Sequence, residues 1–136
     1  MSRIQARECL FKLIYEYSFL KEYNELSLQE YTTQEGIDDI NKDYIADSYK
    51  EIIANYDNII TIIKDNLERY DITRLSKIDL ALLVISVYEL SIKHNTDYKL
   101  EINEAVEMAK KYSNDNSYKF INGVLAHVVN GKNYDK

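Results

Sequence analysis

The amino-acid sequence predicts an all-α protein with a single domain, and three observations support this prediction. The 136-residue chain contains no proline, the residue that most often ends or kinks a helix. Its apolar residues recur at helical spacing along most of its length. Its hydrophobic content of 46%, against 29% charged residues, is typical of a globular protein. A domain of this length buries about two thirds of the surface that its unfolded chain exposes.

The first half of the chain contains a first helix, a polar stretch and a longer helical region. The first helix is predicted from about Arg3 to Leu20, with an apolar face made of Ala6, Leu10, Leu13, Tyr17 and Leu20. The stretch from 21 to 41 is irregular and polar, so no helix is assigned to it. A helix or helix pair is predicted from about Lys42 to Tyr70, with a break near Asp57 where the apolar spacing is interrupted.

The second half contains three further predicted helices. Ser76, with Asp79 three residues later, resembles a capping box and predicts a helix that ends near Lys93. This helix is apolar almost all round between Leu80 and Leu90, so we expect it to be the central, fully surrounded helix. The remaining two helices are predicted from about Glu101 to Tyr112 and from about Asn116 to Asn130.

A glycine lies inside the last predicted helix, in the stretch YKFINGVL. Glycine in a helix interior costs about 1 kcal/mol relative to alanine, so its presence needs a reason. Ile121, Val124 and Leu125 belong to the predicted core stripe, and Gly123 and Ala126 form a strip of small residues beside it. Because small residues let another helix approach closely, we predict that Gly123 is a helix contact.

Acidic side chains are concentrated in one segment of the chain. The formal net charge is −6, and residues 22 to 57 alone contain ten acidic and two basic side chains. The remaining residues contain 13 acidic and 15 basic side chains, a net charge of +2. The composition is therefore compatible with a basic face outside the acidic segment.

Candidate catalytic and metal-binding residues are few. Neither His94 nor His127 has a second ligand at metal-binding spacing, so both are interpreted as surface or interface residues. Cys9 lies among apolar residues and is interpreted as buried rather than nucleophilic. The three glycines are isolated from one another, which excludes a glycine-rich phosphate loop. We expect a protein that is not an enzyme and that uses neither a metal nor a cofactor.

Glu89 interrupts the most apolar stretch of the chain. A buried carboxylate needs a cation or hydrogen-bond donors, because an unpaired buried charge costs several kcal/mol. We interpret Glu89 as a link between helices, and a catalytic carboxylate is the alternative.

No segment of the sequence predicts export or membrane insertion. The longest apolar run, from Leu80 to Tyr88, is about half the length of a membrane span. Lys12 and Glu16 interrupt the apolar residues near the N-terminus, so the segment lacks the apolar region of a signal peptide. One cysteine allows no intramolecular disulfide, and we expect a cytoplasmic protein.

Three segments of the chain resemble one protein family. EINEAVEMAKKYSNDNSYKFINGVLAHV is similar to the C-terminal signature of the NusB family of bacterial transcription antitermination factors, in its Asn-Glu-Ala-Val core and its Asn-Gly-Val-Leu ending. LSKIDLALLVISVYEL resembles the preceding helix of that family, and ARECLFKLIYEY resembles its first helix. The resemblance implies a pair of packed helical bundles with about seven helices, in a single RNA-binding domain over residues 1 to 136.

The same resemblance implies a function in transcription. NusB proteins bind the single-stranded boxA RNA of ribosomal RNA leaders together with the ribosomal protein NusE, and help to assemble the antitermination complex on RNA polymerase. The positions that match the family's RNA-binding residues are Arg3, Gln5 and Arg7 at the first helix and Ser117, Lys119 and Asn122 at the last. The positions that match its NusE-facing residues are Tyr15 and Asp79. Tyr15 also fits an apolar stripe, and Asp79 also fits the acid of a capping box.

Three functional hypotheses follow from these residues, and the third is an enzyme, because similar helical domains occur attached to ribosomal RNA methyltransferases; the sequence disfavours it, since it shows no cofactor-binding α/β domain. For an antitermination factor, we expect Arg3, Arg7 and Lys119 to meet at one surface and to contact about three phosphates. Such a protein binds RNA weakly alone and more tightly with NusE. The second hypothesis is a diverged NusB-like module for protein interaction without strong RNA binding, since Arg3 and Arg7 are the only arginines near the N-terminus.

Overall fold

The computed structural model of the chain describes residues 3–34, 36–68, 71–94 and 97–131, and over these residues it is helical as predicted. The helices are α1 (Arg3–Leu20), α2 (Glu25–Thr32), α3 (Asp39–Ala54), α4 (Tyr56–Asp65), α5 (Lys77–Val87), α6 (Tyr98–Tyr112) and α7 (Ser117–Gly131). A 3-10 turn over Ile72–Arg74 precedes α5, and a π-helical turn over Tyr88–Ile92 follows it. Across the described ranges, every helix is too short or too polar to cross a membrane.

The helices divide into two compact units, Met1–Ala54 and Asn55–Lys136. In the first unit α1 packs against α3, and α2 contacts both. In the second unit α6 packs along α7, while α5 contacts α4, α6 and α7. Seven helices in two units agree with the predicted pair of helical bundles, and the single domain over residues 1 to 136 stays a prediction.

The core of the first unit consists of apolar stripes on α1 and α3. The fully buried members include Ala6, Leu10, Leu13, Ile45 and Ile52. The predicted stripe of α1 is therefore right through its first three turns. The buried stripe ends before Leu20, the last residue of α1, whose side chain is 54% exposed.

Helix α2 lies in the polar stretch to which no helix was assigned. Its N-cap is Asn24, whose side-chain oxygen accepts a hydrogen bond from the backbone N–H of Ser27 at 3.0 Å. The backbone N–H of Asn24 donates to the hydroxyl of the buried Tyr49 on α3 at 2.9 Å. The cap and this link fix a helix of only 8 residues, of which Leu28 is the buried one. One buried apolar residue is too little to produce a visible periodicity.

The helix pair predicted between Lys42 and Tyr70 corresponds to α3 and α4. The two helices are separated at Asn55, where φ is −111° and ψ is 14°, two residues before the predicted break. Helix α4 ends at Asp65, and Tyr70 lies outside the described residues.

Helix α5 and its π-helical turn form the most buried stretch of the second unit. Every residue from 79 to 91 is buried, as the all-round apolar pattern predicted. The backbone N–H of Lys93 donates to the carbonyl oxygen of Tyr88 at 2.9 Å, which is the wider spacing of a π turn. Glu89 lies in this turn and is 1% exposed. Another buried carboxylate, Glu101, accepts a hydrogen bond from Ser86 Oγ at 2.7 Å and so joins α6 to α5.

The turn between α6 and α7 is attached to the start of α5 through Asp79. Ser76 Oγ accepts a hydrogen bond from the backbone N–H of Asp79 at 3.0 Å, which is the cap that the sequence predicted. The carboxylate of Asp79 accepts hydrogen bonds from Ser113 Oγ at 2.8 Å and from Ser117 Oγ at 3.0 Å. Each hydroxyl can donate one hydrogen bond, and when both hydroxyls donate to the carboxylate they form two charge-assisted hydrogen bonds. We call these three side chains the Asp79 clamp; it fixes the first residue of α7.

The buried thiol of Cys9 allows a test of the core of the first unit. Cys9 is 6% exposed, and burial raises the pKa of its thiol. Because the thiolate is the reactive form, we expect a thiol reagent to modify Cys9 much more slowly in the native protein than in denaturant. The release of the chromophore from Ellman's reagent measures both rates, with Cys9→Ala as the blank. Equal rates in the two solvents would show that the thiol is accessible.

Removal of the Asp79 carboxylate will destabilise the protein. In Asp79→Ala the buried hydroxyl of Ser117 and the half-buried hydroxyl of Ser113 lose a charged acceptor, so we expect the free energy of unfolding to fall by about 1–3 kcal/mol. Ser117→Ala removes one of the two bonds and should cost about 1 kcal/mol. Asp115→Ala is a control in the same turn, since Asp115 is exposed. Urea denaturation followed by circular dichroism gives the values, and an Asp79→Ala variant as stable as the Asp115→Ala variant would contradict the clamp.

Candidate nucleic-acid interface

A groove of about 340 Å³ lies between the end of α4 and the first half of α7. It is lined by Asn66, Leu67 and Glu68, which follow α4, and by Lys119, Phe120, Gly123, Val124 and His127 of α7. Lys119, Gly123 and His127 are four residues apart and therefore lie along one side of the helix. The groove combines an aromatic ring, an ammonium group and apolar walls, a combination that suits a nucleobase with its phosphate.

The predicted role of Gly123 as a helix contact is wrong. A Cβ atom built on Gly123 meets nothing within 4 Å in the described part of the protein, and the residue itself is exposed. Helix α7 packs through its other side, where Ile121 and Leu125 are fully buried. Gly123 therefore faces the groove instead of another helix.

His127 connects α7 to the segment that follows α4. Its Nδ1 lies 2.6 Å from Asn66 Oδ1, and its Nε2 lies 3.3 Å from Glu68 Oε1. The amide nitrogen of Asn66 donates to the carbonyl oxygen of Ile62 at 2.8 Å, so the Asn66 oxygen is the atom turned toward the ring. His127 is thus an exposed residue, which agrees with its interpretation as a surface or interface residue. Over the described ranges, no group of three or more His, Cys, Asp or Glu side chains could hold a metal ion.

A second, more polar pocket of about 340 Å³ shares Phe120 with the groove. Its other lining residues are Arg74, Leu75, Ser76, Asp79, Asn114, Asn116 and Ser117. Arg74 is the last residue of the 3-10 turn and is exposed. Arg74 and Phe120 therefore line the same pocket, and proteins use both guanidinium groups and aromatic rings to recognise nucleic acids. Arg74 is not among the site residues predicted from the sequence, although its position just before the helix cap at Ser76 indicates that it lies near the start of α5.

The RNA-binding residues expected on α7 have two different environments. Lys119 and Asn122 are exposed and three residues apart, so they share one face of the helix. Ser117 is 4% exposed, and its hydroxyl belongs to the Asp79 clamp. A direct RNA contact through Ser117 therefore does not fit the structure, because its hydroxyl is used in hydrogen bonds inside the protein.

The residues expected on α1 also differ in accessibility. Arg3 and Gln5 are exposed, and the guanidinium of Arg3 lies 3.6 Å from the ring centroid of Tyr44. Arg7 is only 2% exposed, so a direct RNA contact through Arg7 does not fit the structure either. Arg7 precedes Leu10 by three residues, which places it on the buried stripe of α1. The meeting of the α1 cations with Lys119 at one surface stays a prediction.

The two residues expected to face NusE likewise have different environments. Tyr15 is 37% exposed, and its ring packs edge-on against Phe19 with the centroids 5.0 Å apart. Phe19 is 55% exposed, so the two rings form an accessible aromatic pair on the first unit. Asp79 is 8% exposed and its carboxylate is used in the clamp. Its role in the structure is therefore the helix cap and the clamp, and a contact with a partner stays a prediction.

Sequence comparison places this architecture in a known family. The model of the NusB family matches residues 4–130. The transcription antitermination protein NusB of Finegoldia magna is 38% identical over 136 residues, which cover 97% of this chain and 96% of that protein. The protein of the same name from Clostridium novyi is 38% identical over 131 residues, with 95% and 98% covered. These relatives confirm the prediction that the chain is not an enzyme.

Solved structures agree with the sequence comparison. T. maritima NusB has a TM-score of 0.86 and 30% identity, and the alignment covers 96% of this chain and 92% of that one. A crystal structure of the antitermination factors NusB and NusE with dsRNA contains a chain with a TM-score of 0.84 and 23% identity, covering 95% and 96%. At 23% identity, the similarity to this second structure is a similarity of fold. From its match to the family model and its relatives along nearly the whole sequence, this chain belongs to the NusB family.

Proposed function

We propose that the chain is a transcription antitermination factor that acts as one RNA-binding domain in the cytoplasm. It binds boxA-type RNA of ribosomal RNA leaders together with the ribosomal protein NusE, and helps to assemble the antitermination complex on RNA polymerase. The names of its relatives support the transcriptional role. The structure of NusB and NusE with dsRNA, which has the same fold, supports the choice of partners.

The observation that carries the RNA-binding proposal is the position of Phe120 between two hollows with cations beside them. Lys119 lines the groove and Arg74 lines the polar pocket, while the ring of Phe120 lines both. In single-strand recognition, aromatic rings stack on bases and cations contact phosphates. The Asp79 clamp holds the first turn of α7, so Phe120 and Lys119 are positioned before RNA arrives.

The same geometry accounts for weak binding by the protein alone. With Arg7 buried, the exposed cations that this proposal assigns to phosphates are Arg74 and Lys119 beside Phe120 and Arg3 on α1. Three phosphate contacts on single-stranded RNA correspond to a slope of about −2 in a plot of log affinity against log salt concentration. The net charge of −6 repels RNA at longer range. A partner that binds RNA at the same time raises the affinity through effective concentration.

The accessible pair of Tyr15 and Phe19 supplies a surface for that partner. Exposed aromatic side chains are enriched at the centres of protein interfaces, where they bury a large area at little entropic cost. Tyr15 and Phe19 are 37% and 55% exposed. We therefore assign the NusE contact to this pair rather than to the carboxylate of Asp79.

Substitutions in the groove will weaken RNA binding in two distinguishable ways. Phe120→Leu removes the flat ring and should weaken binding by about 1–3 kcal/mol, the range of one base stack. Lys119→Gln should weaken binding to every sequence and make the salt slope shallower by about 0.7. Fluorescence anisotropy with labelled boxA-type RNA and NusE, across a salt series, measures both effects.

Lys99→Gln is the matched control for these variants, because Lys99 is exposed in the first turn of α6 and is not among the residues that line the groove or the polar pocket. It should bind RNA as the wild type does. If wild-type protein with NusE binds no RNA even in low salt, the antitermination proposal fails. Retained NusE binding would then favour the interaction module without strong RNA binding.

Loss of the aromatic pair will weaken binding to NusE. Tyr15→Ala and Phe19→Ala should each reduce the affinity by about tenfold or more, as expected for residues at the centre of an interface. Leu26→Ala is a matched control, since Leu26 is an apolar side chain of the first unit that is 78% exposed. Isothermal titration calorimetry with purified NusE gives the affinities. An equal effect of all three substitutions would place the interface elsewhere.

A further inference from the structure

A third hollow, of about 320 Å³, lies beside Tyr118 at the start of α7. It is lined by Lys110 near the end of α6, by Asn114 and Asp115 in the turn, and by Tyr118. The Nζ atom of Lys110 lies 5.1 Å from the ring centroid of Tyr118, and that of Lys119 lies 5.9 Å from it. The Tyr118 ring therefore has two ammonium groups close to it. The hollow beside the ring is large enough for part of a nucleotide.

The hollow is separate from the groove at Phe120. Tyr118 and Phe120 are two residues apart on a helix that turns by about 100° per residue, so their side chains leave α7 in nearly opposite directions. Lys119 lies between them in sequence, lines the groove and also lies near the Tyr118 ring. A strand that occupies the groove can thus reach the hollow by crossing the N-terminal turn of α7 at Lys119.

We propose that the hollow at Tyr118 is a binding site for one further nucleotide of the RNA strand, with its base stacked on Tyr118 and its phosphate between Lys110 and Lys119. This inference rests on the proposed RNA-binding function and extends it by one position. It identifies Tyr118 and Lys110 as RNA contacts in addition to the residues of the groove.

The polar side chains of the hollow fit the edge of a base. The side-chain oxygen of Asn114 accepts hydrogen bonds from the backbone N–H groups of Asn116 and Ser117 at 3.1 Å, which leaves its amide nitrogen as a donor. The carboxylate of Asp115 is exposed and is an acceptor. A base that presents both an acceptor and an N–H donor satisfies the two side chains together.

The existing ion pair of Lys110 does not prevent this use. Lys110 Nζ lies 3.5 Å from Glu107 Oε1, and the two side chains are 50% and 60% exposed. An exposed pair of this kind contributes little to stability. A phosphate can therefore replace the carboxylate of Glu107 as the partner of Lys110.

Replacement of single RNA nucleotides by abasic nucleotides tests the site. With wild-type protein and NusE, an abasic nucleotide at the position stacked on Tyr118 should weaken binding by about 5- to 150-fold, the range that one base stack provides. The measured quantity is the ratio of the dissociation constant of the abasic RNA to that of the intact RNA. In Tyr118→Leu this abasic ratio should fall close to one at that position, while the abasic ratios at all other positions stay as in the wild type. Tyr118→Phe keeps the ring and should restore the wild-type ratio.

The salt dependence adds an independent measurement. Lys110→Gln should make the salt slope shallower by about 0.7, whereas Lys99→Gln at the other end of the same helix should leave it unchanged. If the RNA binds but Tyr118→Leu changes no abasic ratio, the Tyr118 site is wrong and the proposed function stands. If the intact RNA does not bind the wild-type protein with NusE, both proposals fail.

Discussion

The hydrogen bonds from two serine hydroxyls to the carboxylate of Asp79 are the interaction on which the candidate interface depends. They join the start of α5 to both ends of the turn between α6 and α7. The groove, the polar pocket and the hollow at Tyr118 all include side chains of this turn or of the first turns of α7. Helix α5 is the natural anchor, because the buried stretch from 79 to 91 cannot move without opening the core of the second unit. The carboxylate of Asp79 is used in hydrogen bonds inside the protein, and these bonds position the side chains of the candidate interface.

Local signals in the sequence were sufficient to predict most of the helices. The bounds of α1 and the cap at Ser76 could be predicted because each depends on residues within a few positions of one another. The buried stretch around α5 was visible from composition alone. Helix α2 was missed because its 8 residues bury only Leu28, and its main support is a hydrogen bond to Tyr49, which is 25 residues away in sequence. The π-helical turn at Tyr88–Ile92 has no sequence signal that we recognise.

The candidate site could be predicted only in part, because accessibility is a tertiary property. The family resemblance identified Lys119 and Asn122, both exposed on α7. It also indicated Arg7 and Ser117, which are buried. For Arg7 a signal existed, since it falls on the stripe of Leu10, but the partner of Ser117 lies 38 residues away in sequence. Arg74 becomes a candidate only when the folded chain brings its 3-10 turn beside Phe120.

The open space around Gly123 has an evolutionary consequence. Because a Cβ atom at this position meets no neighbour within 4 Å in the described part of the protein, a larger residue would not disturb the core. Such a residue would restore helix propensity, yet it would project into the groove and narrow it. Selection for stability alone therefore favours alanine here, whereas selection for an unobstructed channel favours glycine. Because glycine has only a hydrogen atom in place of a side chain, the residue at position 123 sets the width of the groove without any change in how the helices pack.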